Sequence, residues 1–232
     1  MRLLAWNIRQ GGGQRVPAIL TEVSKHGPDI LVLTEARGTA PTMKLRAGLE
    51  SQGYTHQHVP TGPTTANSVL VAAKSRLRPH ATSLTGGRGQ RVACCAVGTL
   101  NVIGAYFPSV PPHILRFYNS IAPLTRKWSS RPTVLVGDLN SGLNGVDTEA
   151  SRFSAAPGMQ RLLNEGWTDA WRHVHGDRRE YSWYSDYGNG YRIDHALLSP
   201  SALPLLRHAE YDHGPRLAGT SDHSVLLVEL RQ

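Results

Sequence analysis

The sequence predicts a layered α/β domain in which two packed mixed β-sheets are flanked by helices. Three observations carry this. Eight apolar runs of strand length recur along the chain. Most of them are apolar at consecutive positions rather than at alternate ones, and amphipathic helical segments fall between them. A strand that is apolar on both faces must be covered on both faces. One sheet therefore packs against another on its inner side and against helices on its outer side. With 232 residues the chain is long enough to bury a large core, and it reads as one domain spanning 1–232.

The first strand, Arg2-Ala5, runs straight into Trp6-Asn7. Val16, Ile19, Leu20 and Val23 then recur at helical spacing, with Pro17 in the first turn, where its missing N–H is not needed. A strand over Asp29-Leu33 and a helix over Met43-Leu49 follow. Three more strands are predicted over Ser68-Ala73, Arg91-Val97 and Leu100-Tyr106. From His113 to Trp128, the residues Ile114, Phe117, Tyr118 and Ile121 mark one helical face, which Pro123 is expected to kink or end. A strand over Thr133-Val136, a helix through Met159, Leu162 and Leu163, and strands over Arg192-Leu198 and Ser224-Leu230 complete the chain. It contains no internal repeat, low-complexity tract or linker.

Apolar residues make up 40% and charged residues 18%, the balance of a soluble globular protein. No stretch approaches the roughly 18 apolar residues of a membrane span. The N-terminal apolar segment is too short and too soon polar for a secretory leader. Cys94 and Cys95 are neighbours, so in a strand they point to opposite faces and cannot bridge each other. Two inert thiols fit a reducing cytoplasm, which is the expected location. The net charge is +8, and only four of the 25 basic residues are lysine. Arginine suits bidentate phosphate contacts, and the net charge favours a polyanionic partner, nucleic acid or an anionic lipid surface.

Five polar clusters sit at strand ends. In Trp6-Asn7-Ile8-Arg9, the Asn7 amide either ligates a metal through its oxygen or caps the turn before Gly11-Gly12-Gly13. That glycine run could cradle a phosphate but lacks the following lysine of a nucleotide-binding loop. In Leu33-Thr34-Glu35, a carboxylate ends a buried strand and must be paired or reach water. Hard divalent ions take such oxygens. In Gly137-Asp138-Leu139-Asn140, extended geometry would point Asp138 and Asn140 the same way, and Gly137 leaves room for another backbone or a ligand. In Arg192-Ile193-Asp194-His195, Asp194 is placed to orient an imidazole, while His195 faces the other way and reads as structural. The fifth cluster is Thr220-Ser221-Asp222-His223.

The set is carboxylates and amides with one imidazole. It has no paired-histidine zinc spacing and no Gly-x-Ser-x-Gly elbow. The chemistry left is metal-assisted attack of water on a phosphodiester. Asp138 would activate or orient the water, and His223 would stabilise the pentacovalent state.

In order, Trp6-Asn7, Glu35, Tyr106-Phe107-Pro108, Gly137-Asp138-Leu139-Asn140, Arg192-Ile193-Asp194 and Ser221-Asp222-His223 resemble the endonuclease/exonuclease/phosphatase superfamily over essentially the whole chain. Within it, Tyr106, Trp167-Thr168-Asp169-Ala170-Trp171-Arg172-His173 and Tyr181-Ser182-Trp183-Tyr184 are similar to the exonuclease III and abasic-site endonuclease branch. The resemblance implies a deoxyribonuclease I-like sandwich and a Mg²⁺ (or Mn²⁺) ion. It makes Glu35 the main metal ligand, with Asn7 and Asp222 nearby. Asn140 and Tyr106 would hold the scissile phosphate or leaving group, and Asp194 would pair with His223. Trp183, Tyr191 and Ile193 would line a pocket for an extruded abasic sugar. Arg9 and Arg178 are candidate substrate contacts, with Arg178-Arg179 placed to touch a DNA backbone. The implied protein is a monomeric DNA phosphodiesterase that needs no membrane, cutting at abasic sites, trimming 3′ ends, or both. The rival reading is a phosphatase or phosphodiesterase of the same superfamily acting on a lipid headgroup or small phosphate ester.

Overall fold

The computed structural model describes residues 1–82, 84, 86–150 and 152–231. Among them the strands are β1 (Arg2–Asn7), β2 (Ile30–Ala36), β3 (His56–His58), β4 (Ser68–Ala73), β5 (Leu77–Pro79), β6 (Val92–Val97) and β7 (Leu100–Tyr106). They continue with β8 (Thr133–Asp138), β9 (Thr168–Asp169), β10 (Trp183–Tyr184), β11 (Gly190–Tyr191), β12 (Asp194–Leu198), β13 (Leu206–Asp212) and β14 (Val225–Leu230). The helices are α1 (Val16–His26), α2 (Ala40–Ser51), α3 (His113–Trp128), α4 (Ala156–Asn164), α5 (Ala170–His175) and α6 (Gly214–Leu217).

Two six-stranded sheets form, in the orders β13-β14-β1-β2-β4-β3 and β5-β6-β7-β8-β12-β9, and β10 with β11 makes a separate ribbon. The pairs β1–β2 and β7–β8 are parallel among antiparallel neighbours, so both sheets are mixed as the sequence predicts. The layers follow from side-chain size. Between the sheets lie mostly small and β-branched residues, such as Ala5, Val32, Val71, Val102, Val136 and Val228. At Gly104 an added Cβ would stand 3.0 Å from Val32 and Val69, a measure of how closely the sheets approach. The outer layers hold larger groups, many of them from the helices: Phe107 with Phe117, Tyr118 and Trp128 of α3, and Trp6 and Tyr54 with Ile19 of α1 and Leu45 of α2. Cys95 belongs to the inner layer and Cys94 to an outer one, and both are free thiols. Burial pushes each thiol up to about 12, which keeps them protonated.

Beyond several short strands and helices that the sequence reading did not name, three departures matter to the fold and the site. α3 runs unbroken through Pro123. The proline removes the helical donor to the Asn119 carbonyl, and Arg161 of α4 ties the same turn from outside, donating to the Tyr118 carbonyl (2.7 Å) and the Asn119 side chain (2.6 Å). The strongly apolar face of α3 then keeps the helix on the sheet. β13 pairs along β14 although its sequence alternates too weakly to announce a strand. The third departure decides function. β1, β2 and β8 extend past their apolar runs to include Asn7, Glu35 and Asp138. Asn7 and Asp138 are thus the last paired residues of their strands, while Glu35 stands one residue before the end of β2.

Gly137 shows how tight this end is. It has φ +137°, and an added Cβ would stand 2.2 Å from the Ala105 carbonyl oxygen of β7. Gly137→Ala should destabilise the fold by ~3 kcal/mol or more through backbone strain and overpacking. Urea unfolding checks this; a midpoint within error of the parent would refute it.

Candidate active site

Strand register builds the site. Tyr106 pairs with Asp138 across β7–β8, and Asp138 pairs with Asp194 across β8–β12. Three chemistry-bearing residues therefore stand side by side at one end of the second sheet. At the same end of the first sheet, Asn7 pairs with Thr34. The β2–β4 register shifts between Thr34 and Ala36, so Glu35 is the surplus residue of a β-bulge with φ +60°. A bulge re-aims a side chain, and Glu35 turns into the cleft. The two sheets are joined here by the Asn7 side chain. Its Nδ2 donates to Asp138 Oδ2 (2.9 Å) and to Glu35 Oε1 (3.2 Å).

His223 lies two residues before β14. Its carbonyl accepts from Trp6 Nε1 at 3.0 Å, and its Nδ1 meets Asp194 Oδ2 at 2.8 Å. Ser182 fixes the partner. Its Oγ accepts from the backbone N–H of Ile193 and Asp194, and its carbonyl accepts from Ser224. Ligand-type atoms of Asp138, Asp194 and His223 all lie within 4.8 Å of one another. Burial alone would lower the His223 imidazole, but Asp194, with Asp138 and Asp222, raises it to about 9. Burial pushes Asp138 up to about 7 against the pull of His223, with Asp194 adding to the rise. At neutral pH the site thus pairs an imidazolium with a carboxyl group poised to take a proton. Burial, with Glu35 and Asp138 nearby, pushes the Tyr106 phenol up to about 12, so it stays a hydrogen-bond donor.

Glu35, Tyr106, Asp138, Asn140, Asp222 and His223 line one open cleft of about 490 Å³. Trp183, Tyr191 and Ile193 form its apolar wall, with the Trp183 and Tyr191 rings 5.7 Å apart. Asn140 reaches the cleft by a different route from the extended one the spacing implied. It has φ +46°, its N–H donates to Asp138 Oδ1, and its Nδ2 donates to the Phe107 carbonyl. An adjoining cleft of about 540 Å³ shares Tyr106 and Ser109 and is edged by Arg88, Arg91, His113 and Arg116.

Some candidates do not converge. Arg9 is exposed, with φ +52°, and lies outside the residues lining the cleft. Arg178 also lies outside it and pairs with Glu180 at 3.6 Å. The glycine run makes no phosphate cradle on this cleft: Gly11 N–H donates to the Glu35 carbonyl and Gly12 N–H to the Arg9 carbonyl. His195 is structural as read, bridging Asp169 and the Ser141 carbonyl. The sequence reading missed Phe153, which packs edge-on to Tyr191 in the cleft wall. Its segment has no periodicity, and only the fold brings it there.

The chain belongs to the Endonuclease/Exonuclease/phosphatase family, which matches residues 4–223. It is 30% identical over 118 residues to an exodeoxyribonuclease of Streptococcus pneumoniae, a match covering 43% of this chain and 42% of that protein. In structure it is similar to an AP endonuclease from Archaeoglobus fulgidus, with TM-score 0.85, 19% identity and 99% of each chain covered. It is also similar to the 3′ phosphatase NExo from Neisseria bound to a product DNA hairpin, with TM-score 0.84, 25% identity and 100% of both chains covered. No helix among the described residues is long and apolar enough to cross a membrane.

The family is divalent-metal dependent, and the donor chemistry here fits such an ion. Glu35 Oε1 takes hydrogens from Asn7 and Tyr106, while Oε2 takes one from the Gln10 N–H, which leaves Oε2 an acceptor direction. Asp222 adds a second hard oxygen in the same cleft. Asn7 spends its oxygen on the Arg9 N–H at 2.9 Å and its amino group on two carboxylates, so it bridges ligands better than it serves as one. A second cluster, Glu22, His26 and Asp212, is already bridged by the Lys25 ammonium, at 3.2 Å from Glu22 and 2.9 Å from Asp212.

The Asp194–His223 pair sets the sign of a pH effect. An imidazole raised above its ordinary value stabilises the fold fully below about 6.5, and that contribution is lost as pH rises through about 9. In metal-free protein, NMR should place the His223 titration near 9. Asp194→Asn should lower it by more than about one unit; an unmoved midpoint would show that Asp194 is not the cause.

Proposed function

We propose that this chain is a divalent-metal-dependent phosphodiesterase acting on DNA, as an abasic-site endonuclease, a 3′-5′ exonuclease, or both, with Mg²⁺ or Mn²⁺ as its ion. The observation that carries this is the meeting of Asp138 and His223 with Glu35 and Asp222 in one open cleft, with Asp194 buried against His223 beside it. The charge of +8 and the names of the relatives, exodeoxyribonuclease and 3′-5′ exonuclease, support a nucleic-acid substrate.

When bound, the ion supplies charge against the phosphate oxygens and leaving group. Glu35 and Asp222 would hold it. Asp138 takes a proton from the attacking water; its Oδ2 is steadied by Asn7 and its Oδ1 by the Asn140 N–H. His223, protonated and with Nδ1 fixed on Asp194, turns Nε2 to a non-bridging oxygen that gains charge as the fifth bond forms. Tyr106, whose one proton meets Glu35 in the free protein, would turn it to the phosphate, and Trp183, Tyr191, Phe153 and Ile193 would receive a sugar turned out of the stack. Arg9 and Arg178 remain candidates for backbone contacts beyond the cleft.

The test is a parallel assay on abasic duplex, nicked duplex, single-stranded DNA and a small phosphodiester, with Mg²⁺, Mn²⁺ or a chelator. Cleavage of DNA but not of the small ester, abolished by chelator, is expected. Asp138→Asn and His223→Ala should each lower the rate by about 10²–10⁴-fold; undiminished activity in either would refute the site. Glu35→Ala should shift the metal titration to higher concentration. DNA binding should weaken steeply with salt through counterion release, and a flat response would favour the lipid-headgroup or small-ester alternative.

A further inference from the structure

Tyr106 does not aim itself. Its hydroxyl lies 3.2 Å from Glu35 Oε1 on the cleft side and 3.4 Å from Asn67 Nδ2 on the other. Asn67 sits just before β4, opposite the bulge that carries Glu35, and its Oδ1 accepts from Arg37 Nε at 2.6 Å. The Arg91 guanidinium covers the face of the Tyr106 ring, 4.7 Å from its centroid.

The direction of this chain is forced. A guanidinium only donates, so the Asn67 atom facing Arg37 must be the oxygen. The amino group of Asn67 then faces Tyr106 and donates to the phenol oxygen. A phenol has one proton, and with a donor already on its outer side that proton points into the cleft. An acceptor in place of the Asn67 amino group would draw the proton outward instead.

We propose that Arg37 and Asn67 are positioning residues that commit the single Tyr106 proton to the cleft, where it meets Glu35 in the free protein and turns to the scissile phosphate when substrate binds. The inference rests on the phosphodiesterase reading and adds two residues to its machinery. Neither touches the reacting atoms; both act through Tyr106.

Asn67→Asp tests it with almost no change of shape. The carboxylate still accepts from Arg37 but offers Tyr106 an acceptor in place of a donor. The expected result, in steady-state cleavage of the DNA substrate found active, is a fall in kcat of about 10- to 100-fold with KM changed less than about threefold. The unfolding midpoint should match the parent. In a Tyr106→Phe background, Asn67→Asp should produce no further loss, because the group it works through is gone. Arg37→Met, which frees the Asn67 amide to rotate, should give a smaller loss that also vanishes in Tyr106→Phe; this keeps the test decisive if Asn67→Asp folds poorly. Retention of kcat within about twofold, or losses that multiply with that of Tyr106→Phe, would overturn the inference while leaving the phosphodiesterase reading standing. A folded parent inactive on every phosphodiester would overturn that reading, and the inference with it.

Discussion

The structure depends on a single constraint: carboxylates placed at the rim of a dry sandwich must be hydrogen-bonded or face water. Asn7 meets it. One amide donates to Glu35 of its own sheet and to Asp138 of the other, so the two layers are pinned at the point where their apolar cores end. The remaining polar groups arrange themselves around that clasp. Ser221 Oγ donates to the Asn7 carbonyl and so brings the Asp222-His223 segment alongside. His223 in turn finds Asp194, which the β8–β12 register has set beside Asp138. Proton acceptor, imidazolium and hard oxygens thus come together from four strands and one loop.

Behind the cleft a second polar network holds the loop after β8. Arg192, almost wholly buried, pairs with Asp147 at 2.8 Å and Asp169 at 2.7 Å, and Arg172 also pairs with Asp147. Burial would raise the Asp169 carboxyl, but Arg192 and His195 hold it well below the usual carboxylate range. Removing one partner from such a set exposes an uncompensated buried charge, a loss of about 3–5 kcal/mol. The network faces the Ser141 carbonyl through His195 and the 143–147 turn through Asp147. Its rigidity is therefore passed to Asn140, whose left-handed backbone needs a fixed chain on both sides.

Most of the fold and the centre of the site were legible because both follow from pattern. Val69-Val71 and Val134-Val136 are apolar at every position, which only a covered sheet explains, and the polar residues that end such runs had to be either satisfied or functional. Asp194, His223, Glu35 and Asp138 were singled out as candidates that way, while the pairing of Asp194 with His223 and the ligand role of Glu35 came from the family resemblance. What escaped depends on distance in the chain. Phe153 reaches the cleft from an aperiodic segment, and Asn67 acquires meaning only when β4 is laid beside the bulge of β2. Pro123 misled because the buried apolar face of α3 holds the helix in place through the missing hydrogen bond. Arg9 and Arg178 fall outside the cleft lining, a placement the sequence could not give because arginine chemistry is visible there whereas side-chain direction is not.

The bulge at Glu35 also limits how this chain can change length. β2 carries one residue more than its partner needs between Thr34 and Ala36. Deleting Thr34 or Ala36 would restore a regular ladder and turn the acid to the other face of the strand, while an added residue would slide Arg37 away from Asn67. Surface loops can absorb insertions at little cost, but this strand cannot. Its residue count is as fixed as the identity of the acid, a form of constraint that inspection of side chains alone would overlook.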